Sequence, residues 1–136
     1  MSKFQAFLKG NNKRIQTKNV IVSDAFVDEE GKLVPFTIRT LPAGKVSQWQ
    51  NEYSKIDKDG EVKFDTTGYN KRIMVEAVVF PDLKNKELQD SYEVVGEEAL
   101  LDEMLLYGEQ AKLTKAINEL NGFKSIDERV EEVKNS

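Results

Sequence analysis

The stretch from Phe80 to Gly122, FPDLKNKELQDSYEVVGEEALLDEMLLYGEQAKLTKAINELNG, constrains this chain more than any other. It carries helical periodicity and is cut at short intervals by residues that stop helices. Pro81 fixes its own φ and biases Phe80 away from the α region, so a helix arriving from upstream should end there. Asn85 is placed to cap a short helix whose Leu88 and Tyr92 share a face. Gly96 interrupts. Ala99, Leu100, Met104 and Leu105 then fall at helical spacing among Glu97, Glu98, Asp102 and Glu103. Gly108 breaks the pattern again. Ala111, Leu113, Ala116, Ile117 and Leu120 mark a third helix, and Asn121-Gly122 closes it as a C-terminal cap signal. The expectation is one short helix and two longer ones with tight joints.

Upstream the pattern is different. Phe4, Phe7 and Leu8 would share a helical face, either in a short docking helix or in a loose arm over residues 1–18, with Asn11-Asn12-Lys13-Arg14 as a polar linker. From Asn19 the chain reads as β: Val20, Val22 and Phe26, a turn at Asp28-Glu29-Glu30-Gly31, then Phe36, Ile38 and Thr40 alternating with Thr37 and Arg39. Residues 19–41 therefore form a β-hairpin. Pro35 lacks a ladder donor, which suggests an edge strand. Pro42 suits the first turn of a helix whose Val46, Trp49, Tyr53 and Ile56 make one apolar face, with Trp49 as a buried anchor against the hairpin. Asp65 or Thr66 can cap the next helix, which includes Tyr69 and Ile73 and runs to about Val79. The apolar run Met74–Phe80 also fits a buried strand; its continuity with Tyr69 favours helix. Ser125 and Glu128 have capping-box form for a last short helix from Ile126 to about Lys134. The fold class expected is α+β: one domain over 1–136, with an N-terminal β-hairpin packed on a mainly α-helical body at 42–134.

Several function classes recede on chemistry. Histidine and cysteine are both absent, which removes the commonest general base, the usual nucleophile–base pairs and most zinc sites. Glu98 and Asp102 lie four apart, but they read as the wet side of an amphipathic helix, not a catalytic pair. Asp57-Lys58-Asp59-Gly60-Glu61 resembles a calcium loop only at first sight. Counted from Asp57, glycine falls at the fourth position instead of the sixth, and Gly68 stands where the twelfth-position glutamate belongs. It reads as a turn. No glycine-rich phosphate loop is present. The expectation is no catalytic residue, no metal and no cofactor.

Charge and hydropathy point the same way. Residues 1–40 carry a net +3, residues 41–80 none, and residues 81–136 a net −7. Without a concentrated basic face, nucleic acid is not an expected partner. No apolar run is long enough to span a bilayer, the N-terminus is too polar for a signal peptide, and no cysteine argues for secretion, so the expected place is the cytoplasm. What remains is binding. Leu105, Leu106 and Tyr107 follow closely on Leu100, Leu101 and Met104, covering more than half of a helix circumference. Either that helix is sandwiched, or it shows apolar surface to another chain, in which case Leu101, Met104, Leu105 and Tyr107 are the partner-binding candidates.

The second half also carries a resemblance. Pro81-Asp82-Leu83, Glu87-Leu88-Gln89-Asp90-Ser91-Tyr92, Met104-Leu105 with Gly108-Glu109, and Glu119-Leu120-Asn121-Gly122 resemble the phage tail assembly chaperones of the XkdN type, from long-tailed phages and prophages of Gram-positive bacteria. Members of that family often have glycine after the Ser-Tyr pair, where this chain has Glu93, and an aromatic after Gly-Glu, where it has Gln110. The resemblance implies a protein of the host cytoplasm that acts during tail assembly and is absent from the virion. It implies the tape measure protein as partner, kept soluble until tail tube protein polymerises around it, and no cofactor. In many such phages a frameshift makes a longer product, of which this chain would be the short form. Self-association is left open. The rival is a structural tail or head–tail connector protein.

Overall fold

The computed structural model describes residues 3–10 and 16–122. The expected last helix, Ile126 to Lys134, and the linker at 11–15 lie outside the described residues. The fold is α+β. After a short 3₁₀ turn at Gln5–Phe7 come β1 (Thr17–Val20), β2 (Phe36–Arg39), α1 (Ala43–Glu52), β3 (Ser54–Ile56), β4 (Val62–Phe64), α2 (Thr66–Ala77), β5 (Val78–Phe80), α3 (Lys86–Ser91), α4 (Glu97–Met104) and α5 (Tyr107–Leu120).

The N-terminal hairpin is present, beginning and ending two residues earlier than expected, and pairs Thr17 with Arg39 and Val20 with Phe36. Alternation holds along β2: Phe36 and Ile38 are buried while Arg39 is exposed. The edge position expected for this strand is not what forms. β2 is the centre of an antiparallel sheet of order β1-β2-β5, and Pro35 stands just before its first residue, where no ladder donor is lost.

The third strand of that sheet comes from the ambiguous apolar run. α2 ends at Ala77 and the chain turns extended, placing Val78 opposite Ile38 and Phe80 opposite Thr37. Helix and strand thus share the run Met74–Phe80, and the helix stops two residues before the expected Val79. The open edge of β2 offers hydrogen bonds that a further helical turn could not use. Arg39 fastens the same junction, its Nε donating to the Glu76 carbonyl at 2.8 Å.

The helical caps follow the sequence closely. The Asp65 carboxylate accepts from the Gly68 N–H at 2.9 Å and the Asn85 side chain from the Leu88 N–H at 2.8 Å. Gly96, at φ 104°, precedes α4 and donates to Gln89 Oε1 at 3.0 Å. The joint before α5 differs. It falls at Leu105-Leu106, and Gly108 lies inside the first turn of α5. The Glu109 carboxylate causes this by reaching back to accept from the Leu106 N–H at 2.8 Å, which starts the helix one residue ahead of the glycine. Hydrogen bonds from Ser23 and from that N–H hold the Glu109 carboxyl below the usual glutamate range.

One core joins the sheet to the helices, through Phe36, Ile38, Met74, Ala77, Leu100, Leu101, Leu113 and Ile117 among others. A polar cluster clamps three helices over it. Lys71 of α2 reaches Asp102 of α4 and Gln110 of α5, and Gln110 Nε2 donates to the Leu101 carbonyl at 3.2 Å. Partial burial works against ionisation of Asp102. The hydrogen bonds from Lys71 and Gln110 prevail and hold its carboxyl below the ordinary aspartate range.

Candidate partner-binding surfaces

The four residues expected to make a contact surface are divided by the fold. Leu101 is 0% exposed and Leu105 is 6% exposed, both in the core cluster. Met104 is partly buried against that cluster. Only Tyr107 stands out, 93% exposed, with Leu106 beside it. Leu101 and Leu105 are therefore corrected to core positions. The apolar excess of this helix goes into the core: α2 lies along α4, and past the turn at Leu105-Leu106 Gln110 of α5 bonds back to the Leu101 carbonyl.

Another exposed apolar group lies on the β3–β4 hairpin. The helix after Pro42 stops at Glu52, so Ile56 is not on its face; it belongs to β3. Asp57 decides this. Its Oδ1 accepts from the N–H groups of Asp59 and Glu61, both at 2.9 Å, and its own N–H donates to the Glu61 carbonyl at 2.8 Å. That turn zips three-residue strands, Ser54 opposite Phe64 and Ile56 opposite Val62. Because side chains alternate along a strand, Ile56, Val62 and Phe64 share one face while Lys55 and Lys63 share the other. Ile56 is 74% exposed, Val62 69% and Phe64 45%.

Beside this face is a hollow of about 550 Å³ between the hairpin and the end of α1, lined by Tyr53, Lys55, Ile56 and Phe64 among others. Its walls are held firmly. The Phe64 ring leans on Tyr69 with centroids 5.2 Å apart. Tyr53 packs so close to Gly68 that a Cβ there would lie 2.8 Å from the ring. Trp49 is buried as expected, and α2 supplies a partner: Arg72 lies over its ring, 5.5 Å from the centroid. Arg72 also pairs with Glu76 at 3.1 Å and Glu52 at 3.8 Å. Partial burial opposes its charge, but Glu76, the Tyr53 side chain and Glu52 outweigh this and raise the guanidinium above its ordinary value.

A second, more polar hollow of about 640 Å³ runs between α2 and the start of α4, past Arg72, Glu76, Lys84, Glu97 and Glu98. Its charges are of both signs, and among the described residues no buried side-chain polar atom lacks a partner. The first surface is hidden in the sequence because Ile56 also fits the helical spacing of Trp49 and Tyr53. The signal that marks it is the alternation Lys55-Ile56 and Val62-Lys63-Phe64 on either side of Asp57–Gly60.

With the geometry in hand, comparison with known proteins is informative. Residues 4–134 match the family model described as phage XkdN-like tail assembly chaperone protein. The chain belongs to that family. Among its relatives, the uncharacterised protein YqbN of Bacillus subtilis (strain 168) is 33% identical over 132 residues, 93% of this chain and 88% of YqbN. The phage-like element PBSX protein XkdN of the same organism is 29% identical over 136 residues, 95% of this chain and 91% of XkdN. The crystal structure of YqbN superposes with a TM-score of 0.77, covering 91% of this chain and 99% of that one at 26% identity. The fold is thus shared with YqbN over nearly its whole length.

Glu93 adopts φ 58°, the left-handed region that glycine enters without strain. Gln110 makes the polar clamp between α2, α4 and α5 described above.

Proposed function

We propose that this protein binds the tape measure protein in the host cytoplasm, keeps it soluble until the tail tube protein polymerises around it, and is absent from the finished virion. Membership of a tail assembly chaperone family supports a role in assembly. The observation that carries the binding role is the exposed apolar face of the β3–β4 hairpin, where Ile56, Val62 and Phe64 project from one side of a two-stranded sheet. A holding protein has to present such a face and release it, which favours a small rimmed patch over an extensive one.

Two measurements test this. Co-expression with the tape measure protein of the same phage should move that protein from the pellet to the soluble fraction, in complex with this chain. Mass analysis of purified particles should find no copies of this chain. Recovery from particles at a fixed ratio to tail tube protein would instead make it a structural tail or connector component.

A further inference from the structure

We propose that the junction of α2 and β5 is a two-state element: residues 78–79 can leave the sheet and extend α2, and Arg39 is the latch that keeps them in the strand. The helical state leaves the β2 edge at Thr37 and Ile38 unpaired, so the junction governs whether that edge is closed.

The sequence of this stretch suits both states. From Met74 to Phe80 it is apolar throughout except at Glu76. Continued as helix, Val78 follows Met74 and Val79 follows Val75 at a four-residue step. Val78 then stays on the face that already buries Met74, Val75 and Ala77. Part of the helical ladder is in place, since the Val78 N–H donates to the Met74 carbonyl where α2 ends. Two more bonds complete the extension, from Val79 to the Val75 carbonyl and from Phe80 to the Glu76 carbonyl. Pro81 stops it there.

The strand state has little to hold it. β5 has three residues, lies at the edge of its sheet, and pairs with β2 at Val78 and Phe80 with the register shifting between them. Val79 and Phe80 are 48% and 52% exposed, so their apolar surface is only half buried by the pairing. Two packings of one sequence exchange when they lie close in free energy, and a single contact can then set the balance.

That contact is Arg39. Its Nε donates at 2.8 Å to the Glu76 carbonyl, the acceptor that the Phe80 N–H needs in the helical state. The guanidinium competes with that N–H, and a charge-assisted hydrogen bond is the stronger kind. Arg39 Nη2 also lies 3.6 Å from the Glu76 carboxylate, which Arg72 Nε grips at 3.1 Å. Because Arg39 belongs to β2 and pairs there with Thr17, the latch ties the last turn of α2 to the sheet itself.

Nuclear magnetic resonance on the full chain tests this with two variants. Arg39→Met keeps the stem of the side chain and removes the donor. Val79→Ala keeps the latch and puts the best helix former at a half-exposed site in place of a β-branched residue. In the unaltered protein the Cα chemical shifts of Val78 and Val79 should be those of strand. Arg39→Met should move the shifts at positions 78 and 79 towards helix values, Val79→Ala should move them less, and the double variant most. Amide exchange at Thr37 and Ile38 should rise about tenfold in Arg39→Met, while exchange at Leu113 and Ile117 in α5 stays as it was. Shifts that remain at strand values in both variants overturn the proposal. So do shifts that move to coil values, because β5 then only frays. Equal acceleration at Leu113 and Ile117 overturns it too, since β5 then opens only with the whole fold. Should Arg39→Met fail to fold, the shifts of Val79→Ala decide by the same criteria.

Discussion

Two hairpins in this protein are turned by the same five-residue device and meet opposite fates. In Asp28-Glu29-Glu30-Gly31-Lys32, the Asp28 Oδ1 accepts from the N–H groups two and four residues on, at 2.8 and 2.9 Å, and Gly31 sits at φ 79°. In Asp57-Lys58-Asp59-Gly60-Glu61, Asp57 accepts from the corresponding two at 2.9 Å each, and Gly60 also sits at φ 79°. Both tips carry an exposed apolar pair, Val27 opposite Leu33 and Ile56 opposite Val62. Below the tips they part. The first hairpin feeds Phe26, Phe36 and Ile38 into the core, with the Phe26 and Phe36 rings 5.9 Å apart. The second ends after three residues a side, against α1 and α2, and joins no other strand among the described residues. A turn motif thus settles how the chain reverses and leaves open whether the reversal is buried.

That contrast can be broken most severely by placing one charge on each side of it. Leu105→Glu should bury an unpaired carboxylate in the core and cost on the order of 4 kcal/mol or prevent folding, whereas Val62→Glu on the second hairpin should stay within about 0.5 kcal/mol. Urea unfolding of the two variants checks this, and equal losses would put the two sites on the same footing. Truncating one ring in each hairpin sharpens the point. Phe36→Ala should cost about 3–5 kcal/mol through the cavity it leaves, and Phe64→Ala about 1 kcal/mol, since that ring is half in solvent already.

The shared turn should instead respond equally. Gly31→Ala and Gly60→Ala each force a Cβ into the left-handed region and should each cost about 1 kcal/mol, measured as paired shifts in urea midpoint. A clear inequality would mean that burial reaches the tips after all. The smallest effect has the opposite sign. Glu93 holds a left-handed φ without being glycine, so Glu93→Gly should stabilise the protein by about 0.5 kcal/mol: relief of the strain exceeds the extra freedom that glycine gives the unfolded chain. A melting temperature lowered by Glu93→Gly would show that the Glu93 side chain contributes something its exposed position does not reveal.

The sequence alone determined whatever acts over a few residues of backbone. Asn85 and Asp65 had to cap because a side-chain acceptor there meets an orphan N–H three residues on. Asn121-Gly122 had to end α5, and the two Asp-x-x-Gly segments had to turn. The family resemblance was legible for the same reason, since it rests on local strings such as Glu119-Leu120-Asn121-Gly122. What only the tertiary structure decided is where distant parts meet. Met74–Phe80 divides into helix and strand because β2, some forty residues earlier in the chain, presents an open edge at Thr37 and Ile38. Leu101 and Leu105 are core because α2 packs along α4 and the core cluster takes them in, while Ile56, no less apolar, stays exposed on a two-stranded hairpin outside that cluster. Hydrophobicity says that a side chain gains by leaving water. Which surface is there to receive it depends on the whole arrangement, and that is the part a local pattern cannot encode.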